Sequence, residues 1–261
     1  MIRLEFVLKK REDIASDKFY EYWLNNHGTL VAKHREALKV QKYIQLHTID
    51  DELNHIFSQQ RGTMGPYDGV AELWWNSMED LVAAFQSQEG QFAASKLLED
   101  EKVFIDHSRS PLWLAYEIPQ VNPAGENIFA SPDNNVLKLY YPLRHLKTLT
   151  LDQAQFYWLC THGPKVRQHA LTAAILRYIQ VHRLKDELGP MLGQARRVVD
   201  EPFTGHAELW FEHNALLEAI TTPEGQKAFS FFLEDEKKFI DFGRSALWLA
   251  KEYVIFNYMN M

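Results

Sequence analysis

Three short stretches of the chain alternate apolar and polar side chains. Leu4, Phe6 and Leu8 alternate with Arg3, Glu5 and Lys9, and Tyr43 to Thr48 and Val70 to Trp75 read the same way. A two-residue period puts alternate side chains on opposite faces of a strand. A longer period governs Asp17 to Ala37, where Phe19, Trp23, Leu30, Val31 and His34 recur at three- and four-residue spacings. That pattern predicts a helix, bent at His27-Gly28. Ser77 opens a short helix over 78–87, with Glu79 and Asp80 in its first turn, and a second helix runs over about 89–106. Pro111 to Glu117 reads as a closing strand, and residues 50–66 as a loop with at most a short helical turn.

The same pattern then returns. With His27 laid on His162, Tyr22-Trp23-Leu24-Asn25-Asn26-His27-Gly28 meets Tyr157-Trp158-Leu159-Cys160-Thr161-His162-Gly163, and Tyr43-Ile44-Gln45-Leu46-His47 meets Tyr178-Ile179-Gln180-Val181-His182. Leu98 to Glu117 matches Leu233 to Glu252 at roughly three quarters of positions. Gly69 to Trp74 meets Gly205 to Trp210 only after one extra residue, gained in a Gly- and Pro-bearing loop where insertions are tolerated. The chain therefore reads as two copies of one unit: a first domain over 1–118, a Pro-, Asn-, Gly- and Ser-rich linker over 119–135, and a second domain over 136–261.

Each copy has the order β-α-β-β-α-β, the ferredoxin-like split motif of the α+β class, with helices on one face of an antiparallel sheet. The bare face of such a sheet invites association. Two fused copies cover it by pairing their sheets into a pseudo-dimeric α+β barrel, helices outside and a hollow inside.

Strand alternation sorts the side chains. In the third strands Ala71, Leu73 and Trp75, and likewise Ala207, Leu209 and Phe211, belong under the helices, which leaves Glu72, Trp74, Glu208 and Trp210 inside the barrel. In the second strands Ile44 and Leu46 share one face and Tyr43, Gln45 and His47 the other; the polar set, with Tyr178, Gln180 and His182, is expected to look inward. A His near a carboxylate in an apolar hollow suits proton transfer to and from carbon and oxygen. His47, Glu72, His182 and Glu208 are thus candidate catalytic groups, and Tyr43, Gln45, Trp74, Tyr178, Gln180 and Trp210 candidate substrate contacts. His27 and His162, at the helix bend, join the catalytic candidates. His34 and His169, two helical turns on, join the binding ones.

Structural roles compete with each of these. Glu72 and Glu208 could bridge Arg3 or Lys138, and His47 and His182 could pair with Gln45 and Gln180 or with a backbone carbonyl. His27 and His162 could serve the bend alone. Glu99-Asp100-Glu101 and Glu234-Asp235-Glu236 read as a solvated helix face.

Composition narrows the classes. Of 261 residues 46% are hydrophobic and 24% charged, with a net charge of −7, which excludes the concentrated basic face of a nucleic-acid binder. There is one cysteine, no apolar run near the length of a membrane span and no signal-peptide core at the N-terminus, so a reducing cytoplasm is the expected address. No phosphate loop, nucleophile elbow or paired CxxC occurs, and the seven-residue His spacing is not a chelating one, so neither metal nor cofactor is expected. An aromatic content of 13% suits a pocket for a flat or apolar small molecule.

The motifs Phe19-Tyr20-x-x-Trp23-x-x-x-His27-Gly28 and Tyr157-Trp158-Leu159-x-x-His162-Gly163-Pro164, the two Tyr-Ile-Gln-x-His strands and Asp68-Gly69-x-Ala71-Glu72-Leu73-Trp74 resemble the EthD family of the dimeric α+β barrel superfamily, over nearly the whole chain. Thr29 stands where the family motif has Pro. The resemblance implies the barrel, and a role in degrading or tailoring apolar and aromatic compounds. The expectation is a cofactor-free lyase or isomerase (dehydratase, decarboxylase or cyclase type) acting on a small oxygenated apolar or aromatic compound. The alternatives are an oxidative enzyme, either a cofactor-free monooxygenase or a haem protein, and a non-catalytic binder. Assembly beyond the internal pseudo-dimer, as a homo-oligomer, is left open.

Overall fold

The computed structural model describes residues 1–123 and 128–259. The first half runs β1 (Ile2–Leu8), α1 (Ser16–Tyr22), α2 (Gly28–His34), β2 (Lys42–Thr48), α3 (Glu52–Arg61), β3 (Gly69–Trp75), α4 (Met78–Gln86), α5 (Gln88–Glu101) and β4 (Leu112–Val121). The second runs β5 (Val136–Leu143), α6 (Leu151–Tyr157), α7 (Gly163–His169), β6 (Arg177–Arg183), α8 (Leu188–Arg196), β7 (Gly205–Glu212), α9 (His213–Thr221), α10 (Pro223–Glu236) and β8 (Trp248–Asn257).

The strands close into one antiparallel barrel in the order β1-β3-β2-β8-β5-β7-β6-β4. Each half supplies four neighbouring strands, and the seams are hydrogen-bonded ladders: β2 on β8, from Lys42 opposite Asn257 to Thr48 opposite Ala250, and β4 on β6, from Ala115 opposite Arg183 to Val121 opposite Tyr178. Closure removes the sheet edges that a lone half would expose. The split-motif barrel expected from the repeat is the fold observed.

Three local expectations change. The loop expected over 50–66 contains the ten-residue helix α3, N-capped by Asp51 and ended by Gly62 in the left-handed region, and α8 is its counterpart. The linker expected over 119–135 begins inside a strand, because β4 continues to Val121 and pairs with β6; residues 124–127 of that segment lie outside the described residues. The bend expected at His27-Gly28 is a π-helical segment, Trp23–His27, between α1 and α2, and Trp158–His162 repeats it between α6 and α7. Such one-residue expansions of a helix concentrate at functional sites.

Three apolar clusters form the interior. One lies between sheet and helices in each half, around Trp23, Tyr43 and Phe104 in the first and Trp158, Tyr178 and Phe239 in the second. The third fills the barrel, with Ile44, Leu46, Val70, Trp74, Trp113, Ile179, Val181, Trp210 and Trp248.

Candidate functional site

The barrel lumen holds Glu72, Trp74, Glu208 and Trp210, as strand alternation requires. Its centre is a closed ion network. Arg3 contacts Glu72 at 2.5 Å, Glu117 at 2.8 Å, and Glu5 and Glu208. Its repeat counterpart Lys138 contacts Glu72 at 2.9 Å, Glu208 at 2.8 Å and Glu252 at 3.3 Å. Burial pushes the Glu5 and Glu72 carboxyls up, whereas at Glu208 the burial cost is outweighed by Arg3 and Lys138, which hold it well below the usual range. A cavity of about 380 Å³ lies beside the network. Glu5, Glu72 and His206 stand close enough to share an ion, but Arg3 contacts both carboxylates and Lys138 contacts Glu72, so these oxygens already have cationic partners. The competing reading of Glu72 and Glu208, as bridges to Arg3 and Lys138, is what the geometry shows.

The second strands face the other way. Ile44, Leu46, Ile179 and Val181 line the barrel. Tyr43, Gln45 and His47, and Tyr178, Gln180 and His182, lie under the helices, so the polar set does not meet Glu72 and Glu208 in the lumen. The physical reason is a precise demand for polar partners on the helix side. The π segment leaves the Trp23 carbonyl accepting from Gly28 N–H and from Gln45 Nε2 at 2.8 Å; Gln180 does the same for Trp158 at 3.0 Å. Gln45 Oε1 in turn accepts from His47 Nε2 at 3.0 Å, and Gln180 Oε1 from His182 at 3.0 Å. His47 is stacked on Trp23, Tyr20 and Tyr253 with centroids 4.8, 4.8 and 4.1 Å away. Burial lowers its pKa to about 3 and that of His182 to about 4, which keeps both rings uncharged at neutral pH. The glycine after each motif His lies close to this amide: a Cβ on Gly163 would meet Gln180 Nε2 at 2.9 Å and Gln120 Oε1 at 2.6 Å, and one on Gly28 would meet Gln45 Nε2 at 3.2 Å.

What this network orients is a tyrosine. Tyr43 Oη accepts from Trp23 Nε1 at 3.0 Å and from Gln45 Nε2 at 3.1 Å. A phenol has two acceptor positions and one O–H. Both acceptor positions are taken, so the hydroxyl proton is kept for another partner. Tyr178 repeats this with Trp158 and Gln180, both at 3.0 Å.

His27 and His162 end the π segments. His27 Nδ1 donates to Asp100 Oδ2 at 2.7 Å and His162 Nδ1 to Asp235 Oδ2 at 3.0 Å. An ionised carboxylate only accepts, so the Nδ1 proton is fixed and Nε2 carries the lone pair of the neutral ring. Burial raises the Asp100 carboxyl, but hydrogen bonds from His27 and Tyr22 outweigh it and hold it below its ordinary value. Asp235 lies well below its own, for the same reason and because Lys165 and Lys238 add to His162 and Tyr157.

These groups converge on two apolar cavities between sheet and helices. The first, of about 190 Å³, is lined by His27, Tyr43, Val31, Leu97, Glu101 and Arg196 among others. The second, of about 60 Å³, is lined by His162, Tyr178, Val166, Phe232, Glu236 and Arg61 among others. Arg196 belongs to the second half and Arg61 to the first, so each cavity has one wall from the opposite copy. His34 and His169 do not line either cavity; they pack edge-on against Phe92 and Phe231 at 6.2 and 5.1 Å.

The sequence reading missed Asp100, Glu101, Asp235, Glu236, Arg61 and Arg196. Glu101, Asp235 and Glu236 are only 4%, 2% and 6% exposed, which corrects the solvated-face reading of the acidic runs. A signal existed: Arg61 and Arg196 occupy the same repeat position, in a segment where Asp51-Glu52-Leu53 also returns as Asp186-Glu187-Leu188. A haem group, one of the oxidative alternatives, does not fit beside His27 or His162, because a tetrapyrrole is several times larger than the one benzene ring that a cavity of about 150 Å³ accepts.

The EthD domain matches residues 11–108 and again residues 146–243. No curated protein matches the chain. Among solved structures, one described as an anthrone oxidase-like protein superposes with a TM-score of 0.58 at 11% identity, covering 99% of this chain and 94% of that one. A candidate monooxygenase from Fusobacterium nucleatum superposes with a TM-score of 0.51 at 7% identity, covering 97% of this chain and 93% of that one. At these identities the likeness is one of fold. Among the described residues no helix is long and apolar enough to cross a membrane.

Proposed function

The chain belongs to the EthD domain family, whose domain it carries twice in tandem, and from that premise we propose that it is an acid–base enzyme of the lyase or isomerase kind acting on a small oxygenated apolar or aromatic compound. The observation that carries this reading is the pairing, on one apolar cavity wall, of an imidazole whose Nδ1 is held by Asp100 and a phenol whose lone pairs are both occupied. His27 Nε2 is the base: it takes a proton from carbon or oxygen, and Asp100 orients and stabilises the imidazolium that forms. Tyr43 O–H donates to the substrate oxygen on which charge develops. The surrounding Val31, Leu38, Val40 and Leu97 exclude water and strengthen both interactions. Proton removal beside a carbonyl is the step that dehydration, isomerisation and aldol-type cyclisation share.

The test is deuterium wash-in beside the carbonyl of 4-hydroxyacetophenone in D₂O, followed by NMR. The native chain is expected to exceed buffer. His27→Ala should return the rate to buffer, and Tyr43→Phe should lower it by about 10²-fold. Wash-in that is equal in the native chain and in His27→Ala would refute the reading.

The oxidative reading draws support from the names of the two superposable structures, an anthrone oxidase-like protein and a candidate monooxygenase. It uses the same base to ionise an electron-rich phenol for attack on O₂. Oxygen uptake with a phenolic substrate that is lost in His27→Ala would favour it over a lyase or isomerase.

A further inference from the structure

We infer that each chain holds one ligand, a single-ring oxygenated aromatic compound in the first-half cavity, and that the second-half cavity is packed shut by its own side chains. The inference rests on the reading of the helix–sheet cavities as ligand sites.

Size carries it. A cavity of about 150 Å³ accepts one benzene ring, and a water takes about 30 Å³. At about 190 Å³ the first cavity has room for one ring with a small substituent. At about 60 Å³ the second has room for two waters and no ring. The repeat shows what filled it. Where the first cavity has Ala94, Leu97 and Leu192, the second has Phe229, Phe232 and Phe57. Val40 is matched by Ile175. Phe229 takes the place of Ala94 on the cavity wall.

Electrostatics separate the halves in the same direction. In the first, Asp100 serves His27 and Tyr22. In the second, Asp235 also pairs with Lys165 at 2.5 Å and Lys238 at 3.1 Å, where the first half has Leu30 and Val103. Two ammonium groups on the carboxylate leave it less charge with which to support an imidazolium on His162. Phe6, on the floor of the first cavity, is replaced by Tyr141, whose hydroxyl reaches Glu236 at 3.5 Å. Ala94 and Leu97 thus set capacity in one half, and their Phe counterparts remove it in the other.

The test is calorimetric titration of the full chain with 4-methylphenol, with circular dichroism to show that each variant is folded. One site per chain is expected in the native protein. Ala94→Phe with Leu97→Phe should weaken binding by more than about tenfold, a change of about 1.4 kcal/mol. Ala94→Leu is the graded variant if the double one does not fold, and should weaken binding less. Phe229→Ala with Phe232→Leu should raise the stoichiometry to two. Two sites in the native chain, unchanged affinity when the first cavity is filled, or no saturable binding up to about 5 mM would each overturn the inference. Binding is read without turnover. A chain that binds one ring but washes in no deuterium fails the proposed function and keeps this inference; two binding sites with deuterium wash-in do the reverse.

Discussion

Arg196, on α8 of the second half, grips Glu101, on α5 of the first, through two parallel bonds, Nε to Oε2 and Nη2 to Oε1, both 2.7 Å long. Arg61 returns the contact at Glu236, at 2.8 and 3.1 Å. The guanidinium fork matches a carboxylate in plane and spacing, so the pair fixes orientation as well as charge. These two bridges lie on cavity walls and tie each copy's site to the other copy's helix.

Breaking one bridge should be costly. Arg196→Ala leaves Glu101 buried with His107 as its remaining side-chain partner at 3.1 Å, and an orphaned buried charge costs about 3–5 kcal/mol. Urea unfolding should show a loss of that order, whereas the surface substitution Lys18→Ala, at an exposed pair with Glu21, should leave stability almost unchanged. Glu101 also predicts acid behaviour. Burial raises its carboxyl, but Arg196 and His107 bring it down to about 2 against an ordinary 4.5. A depressed carboxyl contributes stability that is complete above the unfolded value and is lost as pH falls through the folded one. The window is therefore about 4.5 down to about 2. Glu101→Gln should flatten the loss of stability across that window, and an unaltered acid limb would contradict the assignment.

A second pH effect has its source in the barrel. His206 faces Glu208 at 3.2 Å and Glu5 at 3.6 Å, with Tyr140 stacked at 4.2 Å and Trp113 alongside. Burial lowers it from 6.5 to about 3 despite the nearby carboxylates. The folded chain keeps this ring neutral while the unfolded chain protonates it, so stability falls as pH drops from about 6.5 towards about 3, at about 1.4 kcal/mol per pH unit. Val70 occupies the matching position in the first half. His206→Val should fold and reduce the pH dependence of the unfolding free energy from urea titrations between pH 6 and pH 4 by about that slope; an unchanged dependence would contradict it.

The lumenal network predicts an asymmetry between removing a charge and replacing it. Arg3→Met leaves Glu5, Glu72 and Glu208 facing one another with only Lys138 among them, and should cost about 3–5 kcal/mol or abolish cooperative unfolding. Arg3→Lys places the side chain that the second half already uses at this position and should cost less than half as much. Equal melting temperatures for the two variants would refute the role assigned to Arg3.

The barrel was legible because the repeat is strong and because the third strands have one wholly apolar face, Ala71-Leu73-Trp75, that fixes where Glu72 and Trp74 point. The second strands offer no such asymmetry. Both of their faces are buried, and the choice between them is made by a tertiary partner, the Trp23 carbonyl released by the π segment, which leaves no periodic trace. Tyr43 and Tyr178, expected in the barrel, therefore line the helix–sheet cavities with His27 and His162, while His47 and His182 bond to Gln45 and Gln180. Asp100 and Glu101 were hidden by composition: three acids in a row look solvated unless the arginine that neutralises one of them, 95 residues further along, is already known.

The crossed bridges bear on how such a protein can shrink over evolutionary time. Deleting the second copy would look economical, yet it would strip α8, and with it Arg196, from the wall of the first-half cavity and unzip both barrel seams. The two copies are bound to each other by architecture, and truncation offers the lineage no route back to a single domain unless a second chain restores what was lost.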